Sequence, residues 1–361
     1  MGIEELRGDI DALDDQIVEL LDQRARVARA IADEKRARSL AAHDPERERA
    51  LLERLEKSVR ERTDAVFPAS AVRPVFREIL SACLSLQEPQ TVAYMGPPGT
   101  FSHIAAQTAF GLGARYVETV TIGGAIDKVA RGTASYAVAP IENSTEGGVS
   151  ATLDALIELD LMIQREFVIQ VSQCLLGRER DLTKIRRVYS HPQPLAQCRQ
   201  WLAQHTPTAE IVTSSSTAAA AREAALDEGA AAIGSSLSAE LNGLEILRQN
   251  IQDRAENATR FVVVGKTDAV RTGRDKTSLV FSTSHVRGAL RRALETFDAA
   301  GLNLTRIESR PAAGRRWEYV FFTDLEGHRS DPEVAQAIEQ LRHACSTVKV
   351  LGSYPRADAP A

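Results

Sequence analysis

Residues 140–149 of this 361-residue chain, Pro-Ile-Glu-Asn-Ser-Thr-Glu-Gly-Gly-Val, set five polar side chains and two glycines directly behind an apolar run, 136–141. The run reads as a buried strand, and 147–159 has apolar residues at helical spacing (Val149, Leu153, Leu156, Ile157), so Ser144 and Thr145 are expected at or just before a helix N-terminus. Free backbone N–H groups at such a place favour an anion. Gly147 and Gly148 let the backbone approach a ligand, while Asn143, Ser144 and Thr145 add donors without charge. A small carboxylate suits this set better than a metal. The same residues also fit an ordinary capped helix start with glycines for a turn.

A second set is charged and lies on helices. Ile3, Leu6, Ile10, Leu13, Ile17, Leu20, Val27 and Ile31 alternate spacings of three and four, and Arg24 occupies the gap in that seam. A guanidinium facing a helical core is costly unless an anion meets it. Lys35 follows on the same face, about three turns and about 16 Å further on, so the two side chains could grip one small dianion; an internal ion pair is the alternative. Asp44-Pro45 reads as the cap and first position of a second helix, with Glu48 one turn ahead of its seam Leu52, Leu55 and Val59. A third helix turns Val72, Phe76, Ile79 and Cys83 inward, with Gln87 one turn on. Four polar residues (Arg24, Lys35, Glu48, Gln87) aimed at one core read as a ligand site rather than as satisfied buried groups.

The elements that must position these residues fall into three blocks. Residues 3–88 read as helical, broken near 39–44 and 62–68, and Pro89 marks a boundary. From Thr91 short apolar runs (91–95, 116–122, 136–141, 185–189, 231–234, 260–264) alternate with helical stretches such as 217–228, an α/β pattern. Residues 266–275 are polar and basic and read as a linker. Strand, helix, strand, strand, helix, strand then follow over 276–353, the βαββαβ order of a small ferredoxin-like sandwich. Residues 353–361 read as a frayed tail. The expected domains are 1–90, all-α; 91–268, α/β; and 276–355, α+β.

Composition narrows the function. Hydrophobic residues at 43%, charged residues at 26% and a net charge of −5, with basic and acidic residues mixed, describe a globular protein with no nucleic-acid footprint. Cys83, Cys174, Cys198 and Cys345 are far apart and read as reduced thiols, and the sequence shows neither an export signal nor a long apolar run, so a cytoplasmic location is expected. The seven histidines form no ligand pair, and Gly96-Pro-Pro-Gly-Thr lacks the Lys-Ser/Thr of a phosphate loop. Neither a metal nor a cofactor is expected.

Taken together, Pro140 to Val149, Gly96-Pro97-Pro98-Gly99-Thr100-Phe101-Ser102, Ser190-His191-Pro192-Gln193 and Asn257-Ala258-Thr259-Arg260-Phe261 resemble prephenate dehydratase, in that family's order. The resemblance implies a two-lobed, periplasmic-binding-protein-like domain. Thr259 matches the family's essential threonine and is expected to donate toward the leaving hydroxyl. Thr100, Asn143, Ser144 and Thr145 are expected to bind carboxylate, Ser216 and Thr217 to offer a second helix N-terminus across the cleft, and Arg260 and Phe261 to complete the prephenate set. Glu142, His191 and Gln193 are left without a role.

Residues 3–88 resemble the all-helical chorismate mutases, with Arg7, Arg24, Lys35, Asp44, Arg47, Glu48 and Gln87 at substrate-contacting positions, and Cys83 where a relative has Ser. That resemblance implies a pericyclic rearrangement of chorismate to prephenate. Arg7 and Arg24 would clamp carboxylates, Lys35 and Gln87 would donate to the ether oxygen, and Glu48 and Asp44 would fix the ring hydroxyl and neighbouring cations. Arg7 lies about 25 Å before Arg24 along a straight helix, so a second chain must supply it, which predicts an intertwined homodimer. Lys276-Thr277-Ser278-Leu279, Gly288-Ala289-Leu290 and Asn303 to Pro311 resemble the ACT regulatory domain of dehydratases, implying feedback by phenylalanine bound through Ala289, Leu290, Asn303, Leu304, Glu308 and Ser309. Arg287 stands where many relatives have Pro. The whole chain reads as a bifunctional chorismate mutase and prephenate dehydratase. A phenylalanine-sensing binding protein without catalysis is the rival, and a mutase coupled to a dehydrogenase would need a dinucleotide fingerprint this sequence lacks.

Overall fold

The computed structural model describes residues 2–38, 45–87, 89–254, 256–311 and 319–357. They form two compact units, Met1–Thr91 with Gln107–Arg115, and Val92–Ala106 with Tyr116–Ala361.

The first unit is built on three helices, α1 (Ile3–Ala37), α2 (Pro45–Arg60) and α3 (Ala69–Gln87). Glu5 accepts from the Gly2 N–H over 2.8 Å, and acidic residues in the first turn of α1 with basic ones in its last suit the helix dipole. α3 packs against both α1 and α2, and Arg73 bonds Glu56 across the second contact over 2.9 Å. α1 buries Ala28 and Ala32, with Arg24 and Lys35 half-buried on the same line. The apolar seam read from the sequence is not what this chain buries. Ile3, Leu6, Ile10, Leu13, Ile17 and Leu20 are all exposed, as are Val27 and Ile31. Asp44 lies outside the described residues.

From Thr91 the order is β1 (Thr91–Met95), α4 (Phe101–Phe110), β2 (Arg115–Thr119), α5 (Ile122–Ala130), β3 (Tyr136–Asn143), β4 (Gly147–Gly148), α6 (Ser150–Glu158) and β5 (Met162–Gln170). The chain then builds β6 (Cys174–Gly177), β7 (Arg187–Ser190), α7 (Pro192–Gln197), α8 (Arg199–His205), β8 (Glu210–Thr213), α9 (Thr217–Leu226), β9 (Ala230–Gly234), α10 (Ser236–Asn242) and β10 (Glu245–Arg248). It returns through β11 (Ala258–Gly265). Because β11 inserts between β3 and β5, the first sheet, β2-β1-β3-β11-β5, is completed only after the second, β10-β6-β9-β7-β8, has formed. Two lobes therefore share two crossing segments, which pair where the Val171 N–H donates to the Asn257 carbonyl over 2.8 Å.

The last stretch is β12 (Asp275–Ser282), α11 (Ala289–Ala299), β13 (Leu304–Pro311), β14 (Tyr319–Glu326), α12 (Pro332–Ala344) and β15 (Thr347–Pro355). Its antiparallel order, β13-β14-β12-β15, is the ferredoxin-like sandwich expected from βαββαβ. One face of this sheet packs on α11 and α12 through Leu279, Phe281, Phe297 and Leu341. The other contributes Val280, Phe322, Leu351 and Tyr354 to the core of the first lobe, with Val262 and Val264 of β11.

Three readings need correction. Ser144 and Thr145 are not at a helix start: they sit in the turn of a small hairpin between β3 and β4, and α6 begins only at Ser150, after Val149. The cause is local, since the Asn143 carboxamide captures the turn's N–H groups and Gly147 takes φ +81°. The tail does not start at 353: Ser353 and Tyr354 are fully buried on β15. The linker ends in an ordered turn, where Asp275 accepts from the Thr272 and Gly273 N–H groups.

Candidate active sites

Thr259 ends the cleft side of β11 opposite Asn143 at the end of β3. The pairing brings the two side chains together, with Asn143 Nδ2 donating to Thr259 Oγ1 over 2.8 Å and to Asn257 Oδ1 over 3.1 Å. Asn143 Oδ1 accepts from the Thr145 N–H and hydroxyl over 2.9 and 2.6 Å. Both ends of this carboxamide are thus spent on the protein, and Asn143 shapes the wall rather than offering a free donor. Thr259 Oγ1, having accepted from Asn143, keeps its own proton to donate.

Around that pair the sequence-derived residues divide. Ser144 Oγ donates to the Glu256 carbonyl and accepts from the Ala258 N–H, both over 3.0 Å, which fastens the hairpin to the start of β11. Thr100 donates to the Met95 carbonyl over 3.2 Å and caps its own helix. Ser216 caps α9 by accepting from the Ala219 N–H, with Thr217 first in that helix, so the second helix N-terminus is formed as expected. Arg260 and Phe261 depart from their expected role. Phe261 is 2% exposed and stacked on Phe167 at 6.0 Å. Arg260 points to the opposite face of the sheet, where Glu142 also lies, and is consumed by ion pairs there.

Residues without an expected role join the lobes. Gln193 Nε2 donates to Glu146 Oε1 over 2.5 Å, from α7 of the second lobe to the hairpin of the first, while His191 caps α7. Ser235 and Ser238 of the second lobe both donate to the Gly99 carbonyl, over 2.6 and 2.8 Å. Gly99 has φ +92°, and a Cβ there would lie 2.7 Å from Ser238 Oγ, so glycine is required. Asn257 and Gln173 donate to Gln197 Oε1 at the crossing, each over 3.2 Å. Asn257 was visible in the motif, but the lobe-joining serines carry no sequence signal, since Ser235 is an ordinary helix cap and Ser238 an ordinary first-turn residue of the same helix.

In the helical unit Arg24 and Lys35 share the half-buried line of α1, and Arg24 has no hydrogen-bond or ion-pair partner among the described residues. Cys83 is buried on α3, and Gln87 follows one turn on with Oε1 buried and unpartnered. Amide rotation can present the donor end of Gln87 at the same place. Lys35, Arg47 and Glu48 each interact with neighbours. Arg7 is exposed and paired with Glu4 over 2.6 Å; it lies on the same unbroken helix as Arg24, about 25 Å away.

In the C-terminal sandwich a cavity of about 450 Å³ is lined by the turn and start of α11, including Ala289 and Leu290, together with Arg287, Tyr319 and Phe321. Asn303, Leu304, Glu308 and Ser309 do not line it. Asn303, just before the edge strand β13, and Ser309 on it are exposed, and Glu308 faces the hairpin glycine Gly148. Among the described residues no group of three or more His, Cys, Asp and Glu could hold a metal ion, and no helix is long and apolar enough to cross a membrane. All four cysteines are free.

A two-lobed cleft with a threonine at its crossing, joined to a ferredoxin-like sandwich, is the architecture of the prephenate dehydratase class. Residues 92–269 match the prephenate dehydratase family, 6–88 match chorismate mutase type II, and 277–343 match the ACT domain. The chain is 43% identical over 355 residues to the bifunctional chorismate mutase/prephenate dehydratase of Aquifex aeolicus (strain VF5), covering 98% of both. It therefore belongs to the bifunctional chorismate mutase/prephenate dehydratase family. Among solved structures, prephenate dehydratase from Arthrobacter aurescens in complex with L-Phe is 39% identical with a TM-score of 0.69, covering 75% of this chain and 92% of that one. GqqA, described as a novel type of quorum quenching acylase, is 33% identical with a TM-score of 0.67, covering 74% of this chain and 98% of that one.

Proposed function

We propose that this chain turns chorismate into prephenate in its helical unit and prephenate into phenylpyruvate in its two-lobed cleft, with phenylalanine acting as feedback inhibitor through the ACT domain. The observation that carries the second step is the Asn143–Thr259 hydrogen bond at the crossing of the lobes. In prephenate the ring hydroxyl leaves as water while the ring carboxylate leaves as carbon dioxide, and the electron pair of the breaking C–C bond completes the aromatic ring. Aromatisation supplies the driving force, so an oriented O–H donor at the departing oxygen and a site that holds the dianion suffice. Thr259 is that donor, and Asn143 sets its direction. The hairpin 144–148 and the start of α9 are the two walls offered to the carboxylates.

The first step is pericyclic and needs no nucleophile. Arg24 and Lys35 hold the dianion in its reactive conformer, and Gln87, with Lys35, donates to the breaking ether oxygen. Arg47, Glu48 and Asp44 complete the site, and Arg7 comes from a second copy of the chain. Support for that copy is the continuous exposed stripe Ile3, Leu6, Ile10, Leu13, Ile17 and Leu20 on α1, an apolar face this chain does not cover. The phenylalanine site is the cavity at Ala289 and Leu290, extended by Asn303, Leu304, Glu308 and Ser309 from the 303–309 segment of a second copy.

The test is to supply purified protein with chorismate and follow prephenate and phenylpyruvate separately, with and without phenylalanine. Formation of both, with the second step inhibited by phenylalanine, is expected; binding of phenylalanine without either conversion would leave only the sensor reading.

A further inference from the structure

The residues that follow and precede the reacting pair in sequence are joined on the other face of the same two strands. Thr259 pairs with Asn143 and Arg260 with Glu142, so one face carries the cleft and the other carries charge. Arg260 is 12% exposed and donates to Glu166 over 2.6 Å, to Asp324 over 2.6 Å and to Glu142 over 3.3 Å, while its Nη2 donates to the Tyr354 hydroxyl over 3.0 Å. Asp324 is 4% exposed and also accepts from Ser278 Oγ over 2.5 Å; the Ser278 and Tyr354 hydroxyls share a hydrogen bond of 2.5 Å. Asp324, Ser278 and Tyr354 stand on β14, β12 and β15, the three neighbouring strands of the ACT sheet. Burial disfavours charge on Arg260, but Tyr354, Asp324 and Glu166 outweigh it and hold the guanidinium firmly protonated. Burial likewise works against Asp324, and Arg260 and Ser278 outweigh it to keep the carboxyl below its ordinary range.

A second line of contacts reaches the cleft wall itself. On the edge strand β13, Arg306 pairs with Glu308 and lies 3.6 Å from Glu142. The Glu308 carboxylate fills the space beside Gly148, where a Cβ would meet it at 2.2 Å. Arg310 donates to the Ser150 carbonyl at the start of α6 and to Asp154 at its middle, and Lys349 donates to the Ile157 and Leu159 carbonyls at its end. The sheet that carries the effector cavity therefore grips the back of the strands and helix that hold Thr259, Asn143 and the hairpin. Two buried charges that satisfy each other cannot be separated without leaving one unpaired in a dry environment. Arg260, one peptide from Thr259, is thus tied directly to the ACT sheet.

We propose that the buried Arg260–Asp324 pair, braced by Ser278 and Tyr354, is the link through which phenylalanine at the ACT domain changes dehydration at Thr259, so that these are positioning residues of the dehydratase. The link rests on the readings of Thr259 as donor and of the ACT domain as phenylalanine site. Its test uses full-length Asp324→Asn, which keeps shape but removes charge, and Tyr354→Phe, which removes only the hydroxyl. Phenylalanine binding is measured by calorimetry, alone and with phenylpyruvate present, beside inhibition of dehydration; the mutase rate serves as the control. The expected result is that both variants still bind phenylalanine while its effect on dehydration, and the reciprocal effect of phenylpyruvate on its affinity, is lost in Asp324→Asn and weakened in Tyr354→Phe. Undiminished inhibition in both variants would overturn the link alone, as would loss of phenylalanine binding in both, which would place the pair in the effector site. A wild-type chain that binds no phenylalanine would overturn the regulatory reading and the link together.

Discussion

Asn143 Nδ2 donates to Thr259 Oγ1 across 2.8 Å, joining the cleft ends of two neighbouring strands that lie more than a hundred residues apart in the chain. The bond occupies one lone pair of the threonine and leaves its proton free to donate. Asn143→Ala is therefore expected to lower kcat for dehydration by about 100-fold, the cost of a misplaced catalytic group, with a smaller change in KM. Steady-state assay on prephenate checks this, and the mutase rate should be untouched.

Gln87 carries a buried, unpartnered carboxamide oxygen at the end of α3. An amide presents its donor at any pH, whereas a carboxyl donates only when protonated. Mutase activity should be nearly flat from about pH 5 to about pH 8, and Gln87→Glu should give activity that rises as pH falls toward the carboxyl's ordinary pKa of about 4.3. A wild-type rate that drops steeply over that range would remove Gln87 from the role of donor.

His103 stacks on Tyr94 with ring centroids 4.7 Å apart, and its Nδ1 accepts from the Gly99 N–H over 3.2 Å. Burial, partly offset by Glu118, pushes its pKa below the ordinary value. The unfolded chain thus binds this proton more readily than the folded one, so the contribution of His103 to stability is complete above about pH 6.5 and is lost as pH falls through the lower folded value. The denaturant midpoint of dehydratase activity should fall between about pH 7 and about pH 5.5, and His103→Gln should flatten that fall. An equally steep fall in the variant would exclude His103 as its source.

The exposed stripe on α1 and the distance from Arg7 to Arg24 make a specific demand on the assembly. If each mutase site takes Arg7 from one chain and Arg24 from the other, Arg7→Ala and Arg24→Ala are each inactive alone. Unfolding and refolding them together in equal amounts should restore about a quarter of the wild-type sites, because half the dimers are mixed and one of their two sites is intact. No recovery in a mixture shown by sedimentation to contain dimers would contradict a shared site.

The βαββαβ order, the three helices and most α/β strands were legible in the sequence because their apolar periods are clean. The short β4, β6, β8 and β10 were not, nor was the long β5: Gln164, Arg165 and Glu166 interrupt its pattern, and Glu166 is nonetheless buried because Arg260 and Lys276 neutralise it. The hairpin at 144–148 was mistaken for a helix start because Leu153 and Leu156 do belong to a helix that Val149 immediately precedes, while the turn before it depends on what Asn143 bonds. Thr259 and Asn143 were found by motif, and their contact follows only from the insertion of β11 beside β3. Arg260 shared that motif but serves the other face, a distinction that a strand's alternation sets and a list of residues does not. The seam on α1 was real as a pattern, yet this chain leaves it exposed, and the line it buries runs through Ala28 and Ala32 instead.

Two separate chemistries on one chain, each with its own indispensable group, can be separated by two substitutions. Purified wild type, Arg24→Ala and Thr259→Ala should be given chorismate, and separately prephenate, with prephenate and phenylpyruvate quantified over time. Arg24→Ala should fail on chorismate yet dehydrate supplied prephenate at the wild-type rate, and Thr259→Ala should convert chorismate normally and accumulate prephenate. Phenylpyruvate formed by Thr259→Ala at the wild-type rate would contradict the account.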